Sequence, residues 1–357
     1  MLSDTSYAFL KRLLDTPGPS GYERDPARVW RDEARGFAAG VTSDTIGNSY
    51  AAAGPEGGPG ILLAGHVDEI GLIVTHVDDQ GFLYVGPIGG WDPQVLVGQR
   101  VRFIGRHGPV LGVVGKKPIH LMKPEEREKA SKITDLWVDV GAASKAEALE
   151  RLEVGDAGVL EQPLLELPNG RIVSRAIDNR VGAFVVLEAL RRYAEQPGAA
   201  RVTAVATTQE EIGYQGGGAI VAAVREAPVM AVVVDVTFAT DAPGGIEKKE
   251  VGECTLGGGP VITRGSISSP VAVRLLREAA GRLAVPYALH AAGRQSSTDA
   301  DAIHNAGRGV ATVIVSIPNR YMHSPSEMVS VEDLDRAAAI IAEACRAVTA
   351  ETDFADR

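Results

Sequence analysis

The residues best equipped for chemistry are His66 and Asp68 in GHVDEIG, Asp178 in SRAIDNRVG, the neighbours Glu210 and Glu211 in TTQEEIGYQGGG, Asp235 in VVVDVT and His323 in RYMHSPSE. Most of them stand where an aliphatic run stops. Carboxylates seldom sit at the edge of a core unless something pairs with them. Two imidazoles and three carboxylates suit a pair of zinc-like divalent cations. Without cations, clustered carboxylates repel one another and take up protons. Two divalent ions would neutralise three carboxylates and a hydroxide. One carboxylate must then bridge, with the ions about 3.5–4 Å apart. Taken singly, each residue has a plainer explanation: His66 as a satisfied core histidine, Asp68 as a turn residue, Asp178 as an N-cap, Asp235 as a loop cap, His323 as a solvated loop residue. Their coincidence at strand ends carries the joint reading.

For these side chains to meet, the strands that carry them must be neighbours. GILLAGHVD (60–68), RVTAVATTQEE (201–211), VMAVVVDVT (229–237) and VATVIVSIP (310–318) are nearly continuous aliphatic runs, as strands buried on both faces should be. The first ends in His66-Val67-Asp68, the second in Glu210-Glu211 and the third in Asp235, and His323 follows the fourth. Helical spacing recurs between them in RVGAFVVLEALRRYAEQ (180–196) and SPVAVRLLREAAGRLA (269–284). A last helix follows SVED, where Ser330 and Asp333 have the spacing of a capping pair. The N-terminal MLSDTSYAFLKRLLDT reads as an amphipathic helix capped by Ser3 or Asp4, with Phe9, Leu10, Leu13 and Leu14 on its apolar face. The alternation predicts an α/β fold with a mixed, largely parallel sheet flanked by helices. In open sheets of this kind, sites form at the carboxyl ends of strands.

Residues from about 70 to 164 have another texture. GLIVTHVDDQGFLYVGPI reads as a hairpin turning at Asp79-Gln80-Gly81, QRVRFIGRHGPVLGVVG as a second, and LWVDVG as a further short strand. Short strands with glycine turns predict a small inserted β-barrel. The chain therefore divides into a first α/β part (1–69), an inserted β domain (70–164) and a second α/β part (165–357).

With 357 residues, 45% hydrophobic and 23% charged, the composition is that of a globular chain of one large domain or two. A net charge of −10 with no Lys/Arg block argues against a nucleic-acid partner. No apolar run reaches the ~20 residues of a membrane span. Cys254 and Cys345 are too few for a disulfide framework or a Cys-rich zinc site and read as buried apolar residues. A reducing cytoplasm is the expected compartment, and the N-terminus has no signal-peptide layout. His76, His107, His120, His290 and His304 have no partner at metal-ligand spacing.

The chain resembles the tetrahedral aminopeptidases, dinuclear metallopeptidases also known as glutamyl aminopeptidase or, in older usage, endoglucanase or cellulase M. The resemblance rests on GHVDEIG (65–71), SRAIDNRVG (174–182), QEEIGYQGG (209–217), DVTFATDAPG (235–244), STDA (297–300) and IPNRYMHSPSE (317–327), in family order across most of the chain. It implies a zinc-exopeptidase-like fold. It implies His66 and Asp235 as ligands of one metal, Glu211 and His323 of the other, and Asp178 as the bridging carboxylate. Asp68 then orients His66 through its far ring nitrogen, and Glu210 is the general base that takes a proton from the attacking water and hands it to the leaving amine. A cis peptide at Asp178–Asn179 is also implied. So are two divalent ions per subunit, Zn2+ in the first place or Co2+, and short peptides as substrates. The expected assembly is a homo-oligomer, a tetrahedral dodecamer built from dimers whose contacts lie in the inserted domain. The chain departs from the pattern at Asn179, where a second Asp is usual, and at Gly257-Gly258-Gly259-Pro260, where a lysine often interrupts the glycines.

Other activities remain open at this level: a related di-metal deacylase or carboxypeptidase of small amides, a metal-free glycosidase with two flanking acids, or a non-catalytic shell. Arg264 reads as a surface arginine and alternatively as a contact for an acidic substrate side chain. Adjacent residues of a regular strand point to opposite faces. For Glu210 and Glu211 to serve one site, the strand must end and twist, with Ile212-Gly213-Tyr214-Gln215-Gly216-Gly217-Gly218 supplying the freedom.

Overall fold

The computed structural model describes residues 1–213 and 217–355. Strands β1 (Gly40–Ser43), β2 (Ser49–Ala53) and β3 (Gly60–His66) open the main sheet. The chain then forms β4 (Gly71–Val77), β5 (Leu83–Ile88), β6 (Arg100–Gly105), β7 (Gly108–Gly115), β8 (Trp137–Asp139) and β9 (Ala157–Leu160), which close into a barrel in the order β4-β5-β8-β7-β6-β9. A small ladder begins with β10 (Leu165–Leu167) and β11 (Arg171–Ser174). The main sheet resumes with β12 (Arg201–Thr207), β13 (Met230–Phe238), β14 (Val261–Gly265), β15 (Ala288–Ala292) and β16 (Ala311–Asn319). Finally β17 (Glu327–Ser330) adds to the small ladder beside β11. The expected mixed, largely parallel sheet with a small β-barrel insert is therefore the observed architecture.

The main sheet runs β1-β2-β12-β3-β13-β16-β14-β15, and its centre, β12-β3-β13-β16, is parallel. Side chains of β3 alternate between two cores, as the pleat requires. Ile61 and Leu63 join the core under helices Asp4–Asp15, Arg24–Ala34, Ile177–Glu195, Pro270–Leu283 and Val331–Arg346. Leu62 and Ala64 join the core under Gly217–Glu226 and Asp299–His304. The barrel has a separate core that includes Leu72, Leu83, Val101, Phe103, Val138 and Leu160. Among the described residues, no helix is long and apolar enough to cross a membrane.

Helix Ile177–Glu195 is buried almost throughout its first four turns, because VGAFVVL (181–187) is apolar on every side and the buried Asn179, Arg180 and Glu188 find polar partners. It crosses β3 at Gly65, where a Cβ would lie 2.5 Å from the Gly182 carbonyl carbon. That close approach brings the start of the helix beside His66.

Some local expectations need correction. The second aliphatic run leaves the sheet at Thr207, so Glu210 and Glu211 lie beyond the strand. Asp235 lies inside β13, because β16 continues to pair with it as far as Phe238↔Asn319. Its other neighbour, β3, pairs with β13 only up to Ala64↔Val233, which leaves Asp235 open on that side. The N-terminal helix is capped by Ser3, whose hydroxyl accepts from the Ser6 N–H. Ser330 makes no side-chain cap bond, and Asp333 instead accepts the N–H groups of Gly257 (2.7 Å) and Gly259 (2.8 Å). A buried carboxylate facing a loop of bare amides binds them in preference to its own helix end.

Candidate active site

Five parts of the chain converge at the carboxyl-terminal edge of β3, β12 and β13. His66 is the last residue of β3 and is 1% exposed; Asp235 projects from β13 and is 5% exposed. Asp178 follows β11 at the start of the buried helix, where its own φ/ψ and those of Asn179 are non-helical and the peptide between them is cis. His323 lies in the loop between β16 and β17. Pairing of β11 with β17, ending at Ser174↔Glu327, holds the two loops side by side.

Asp178 stands between the imidazoles. Its Oδ1 is 3.3 Å from His66 Nε2, and its Oδ2 is 3.4 Å from His323 Nε2. On the first side, His66 Nε2 is also 3.9 Å from Asp235 Oδ1 and 3.8 Å from Glu210 Oε2. On the second, His323 Nε2 is 3.5 Å from Glu211 Oε2. His323 Nδ1 is 2.8 Å from the Gly90 carbonyl of the barrel. A carbonyl only accepts, so Nδ1 carries the proton and Nε2 presents a lone pair to the site. His66 Nδ1 stands 3.3 Å from Asp68 Oδ1 without the alignment of a full hydrogen bond.

The Glu pair is held by its backbone. Asp68 is fully buried, accepts the Ser20 hydroxyl at 2.6 Å, and receives the N–H groups of Glu210 (3.3 Å) and Glu211 (3.2 Å). The turn out of β12 occurs at Gln209, a non-glycine residue at φ +63°, whose N–H is taken by the buried Glu23 carboxylate at 3.1 Å. The twist expected from the glycine run therefore begins one residue before the pair; residues 214–216 lie outside the described residues. Left-handed backbone at Ala176, Gln209, Tyr321 and His323 is the local strain that functional sites concentrate.

The electrostatics show how strongly the clustered carboxylates act on one another. Burial pushes Glu210 up to about 8, with Asp299 and Asp178 reinforcing it against His66. Burial likewise drives Glu211 and Asp235 well above the carboxylate range. Asp178 goes the other way: burial opposes its charge, but the His323 and His66 imidazoles outweigh it and hold the group at about 2. Burial would lower His66, yet Asp178 and Asp68 raise it above its ordinary value. The cluster shares protons where cations would otherwise balance its charge. The donor set fits divalent ions. His66, Glu210 and Asp235 form one group with ligand atoms within 4.8 Å of one another, and His66, Asp178 and Glu211 form another. Buried Glu211 Oε1 has no hydrogen-bond partner among the described residues.

All seven residues singled out in the sequence thus meet in one region. Sequence reasoning passed over Ser20, Glu23, Gly90 and Glu327. Glu327 lay inside IPNRYMHSPSE without a role; the others carried no local signal, because their partners are distant in the chain. Asn179, the departure from the expected Asp, donates its amide to the Val234 carbonyl at 2.7 Å and accepts from the Gly182 N–H at 3.0 Å. Arg264 is exposed, in a groove with Arg274, Arg277 and Tyr287 that holds none of the clustered residues. Both cysteines are buried.

Comparison with known proteins gives a consistent result. Residues 47–340 match the family described as M42 glutamyl aminopeptidase. The chain is 35% identical to a lysyl aminopeptidase of Pyrococcus furiosus, over 92% of this chain and 93% of that protein. Its fold superposes with TM-score 0.92 on a TET aminopeptidase from the marine sediment archaeon Thaumarchaeota archaeon SCGC AB-539-E09, at 34% identity and 98% coverage of each chain. It superposes with TM-score 0.85 on the TET1 peptidase of Pyrococcus horikoshii, at 31% identity, covering 96% of this chain and 100% of that one. That peptidase is described as assembling into a tetrahedron or a large octahedral shell.

Proposed function

Since the chain belongs to the M42 glutamyl aminopeptidase family and is a metal-dependent peptide hydrolase of the aminopeptidase kind, we propose that it removes N-terminal residues from short peptides at a centre of two divalent ions, Zn2+ or Co2+. The observation that carries this reading is Asp178, with one oxygen toward each imidazole at 3.3 and 3.4 Å. His66 and Asp235 would hold one ion, Glu211 and His323 the other, and Asp178 would be shared between them. Bound there, the ions would polarise the scissile carbonyl and lower the pKa of a water.

The chain's own residues do the rest. Glu210, close to His66 and off the shared Asp178, is placed to accept a proton from water and return it to the leaving amine. It stands within ligand distance of His66 and Asp235, so its role as base requires that Glu211 and Asp235 take the cations and leave it free. Asp68 holds both Glu backbones and stands 3.3 Å from the far nitrogen of His66, on the side from which it would orient the ring. Gly90 fixes the His323 tautomer, so the barrel completes the site as well as extending from it.

Residues 70–164 are the dimerisation domain in this reading, and the assembly is a tetrahedral dodecamer in the cytoplasm. The barrel's exposed Leu111, Val113, Ile119 and Leu121 support a protein contact there. Light scattering that gives a monomer at working concentration overturns the assembly.

One experiment tests the chemistry. Metal-stripped protein is assayed on a panel of aminoacyl chromogenic substrates, free and N-acylated, before and after Zn2+ or Co2+ is restored. Activity confined to the restored protein and to free-amine substrates is expected. Cleavage of the acylated forms would identify a deacylase, and undiminished activity after stripping would overturn the metal centre. The same panel reads the side-chain preference.

A further inference from the structure

Glu327 is a buried carboxylate with no cationic side chain bonded to it among the described residues. It is 2% exposed and sits at the first position of β17, opposite Ser174 of β11. Its Oε2 accepts the backbone N–H of Asp178 at 3.0 Å, and its Oε1 accepts the backbone N–H of His323 at 3.0 Å. The Asn319 amide approaches the same Oε1 at 3.5 Å. Both oxygens are thus used as acceptors, one for each of two loops that come from distant parts of the chain. Burying such a group costs several kcal/mol unless its acceptors are used. Glu327 touches neither His66 nor Asp235, which the main sheet already fixes.

We infer that Glu327 is a positioning residue that sets the spacing between Asp178 and His323 and thereby forms the second, loop-built cation position. This rests on the two-ion reading above. Asp178 and His323 both lie in segments that leave the β11–β17 ladder, and His323 is 36% exposed on its side chain and left-handed at φ +58°. One carboxylate bonded to both backbones removes the freedom that would let the imidazole drift from Asp178. A glutamine cannot replace it. The amide has a single acceptor oxygen, and its NH2 would face one of the two N–H groups.

The test is competition titration with a chromophoric chelator, using Zn2+ and the stripped wild-type, E327Q, E327D and E327A proteins. Wild type is expected to take up two ions. In the variants one of the two ions loses about 10–100-fold in affinity while the other is held as in wild type. Asp333→Asn is the matched control, since Asp333 is also a buried carboxylate holding two loop N–H groups, Gly257 and Gly259. It is expected to melt earlier and bind both ions as wild type does. If E327A does not fold, the near-isosteric E327Q decides. Wild-type affinities for both ions in E327Q, or equal weakening of both, overturns the inference alone. A wild type that takes up a single ion overturns the two-ion reading with it.

Discussion

The two sides of Asp178 are built by different means. On one side, His66 ends β3 and Asp235 projects from β13, and parallel ladders fix both. On the other, Glu211 lies in the loop after β12 and His323 in the loop before β17, outside the strands that flank them. There, side-chain carboxylates do what the sheet does for the first pair. Asp68 takes the N–H groups of Glu210 and Glu211, Glu23 takes that of Gln209, and Glu327 takes those of Asp178 and His323. Ligands on strands inherit their position from the fold. Ligands on loops need buried acceptors, each bonded to backbone that would otherwise be unsatisfied.

The largest effect should come from the residue between the two kinds of support. Glu210→Gln keeps the shape of the loop and removes the base. Turnover is expected to fall about 10²–10⁴-fold, with both ions retained by elemental analysis. Wild-type turnover in this variant would remove Glu210 from the chemistry.

Asp178→Ala breaks the comparison at its shared member. Both ions should be lost or held far more weakly, because one oxygen faces each side. Loss of a single ion would show that Asp178 serves one side alone.

His323→Ala sharpens it. The loop side should empty while the strand side, with His66 and Asp235, keeps its ion. Elemental analysis then gives half the wild-type content, and full content would place the second ion elsewhere.

Gly90→Val is the gentlest probe. A Cβ at Gly90 would lie 3.2 Å from His323 Nδ1, so a branched side chain must displace the ring. A few-fold loss of affinity for the loop-side ion is expected, with no change on the strand side. Unchanged affinity for both would show that the barrel loop does not restrain the imidazole.

How much of this was legible in the sequence follows the same division. The four parallel central strands were readable because a strand buried on both faces must be aliphatic along its length, and β3, β12, β13 and β16 are. Their ends were less readable. The apolar run that stops at Ala206 gave no sign that the turn comes at Gln209, because a buried glutamate from residue 23 sets that turn. Asp235 looked like a strand end because it interrupts an apolar run, yet β13 continues for three residues on the support of β16 alone. Asp333 matched the spacing of a capping pair and bonds instead to a glycine loop more than seventy residues away.

By itself, then, the sequence determined which side chains are candidates for chemistry and which elements are buried, because residue type and spacing are local properties. It also determined that the insert is a separate β unit, since short strands with glycine turns need a core of their own. Only the tertiary structure decided that Asp178 faces both imidazoles, that Gly90 of the barrel sets the tautomer of His323, and that Glu327 bonds the backbone of Asp178, 149 residues away in the chain, as well as that of His323. Those are hydrogen bonds and close approaches between distant segments. Their geometry is set by how β3, the buried helix and the β11–β17 ladder pack, and no local pattern encodes it.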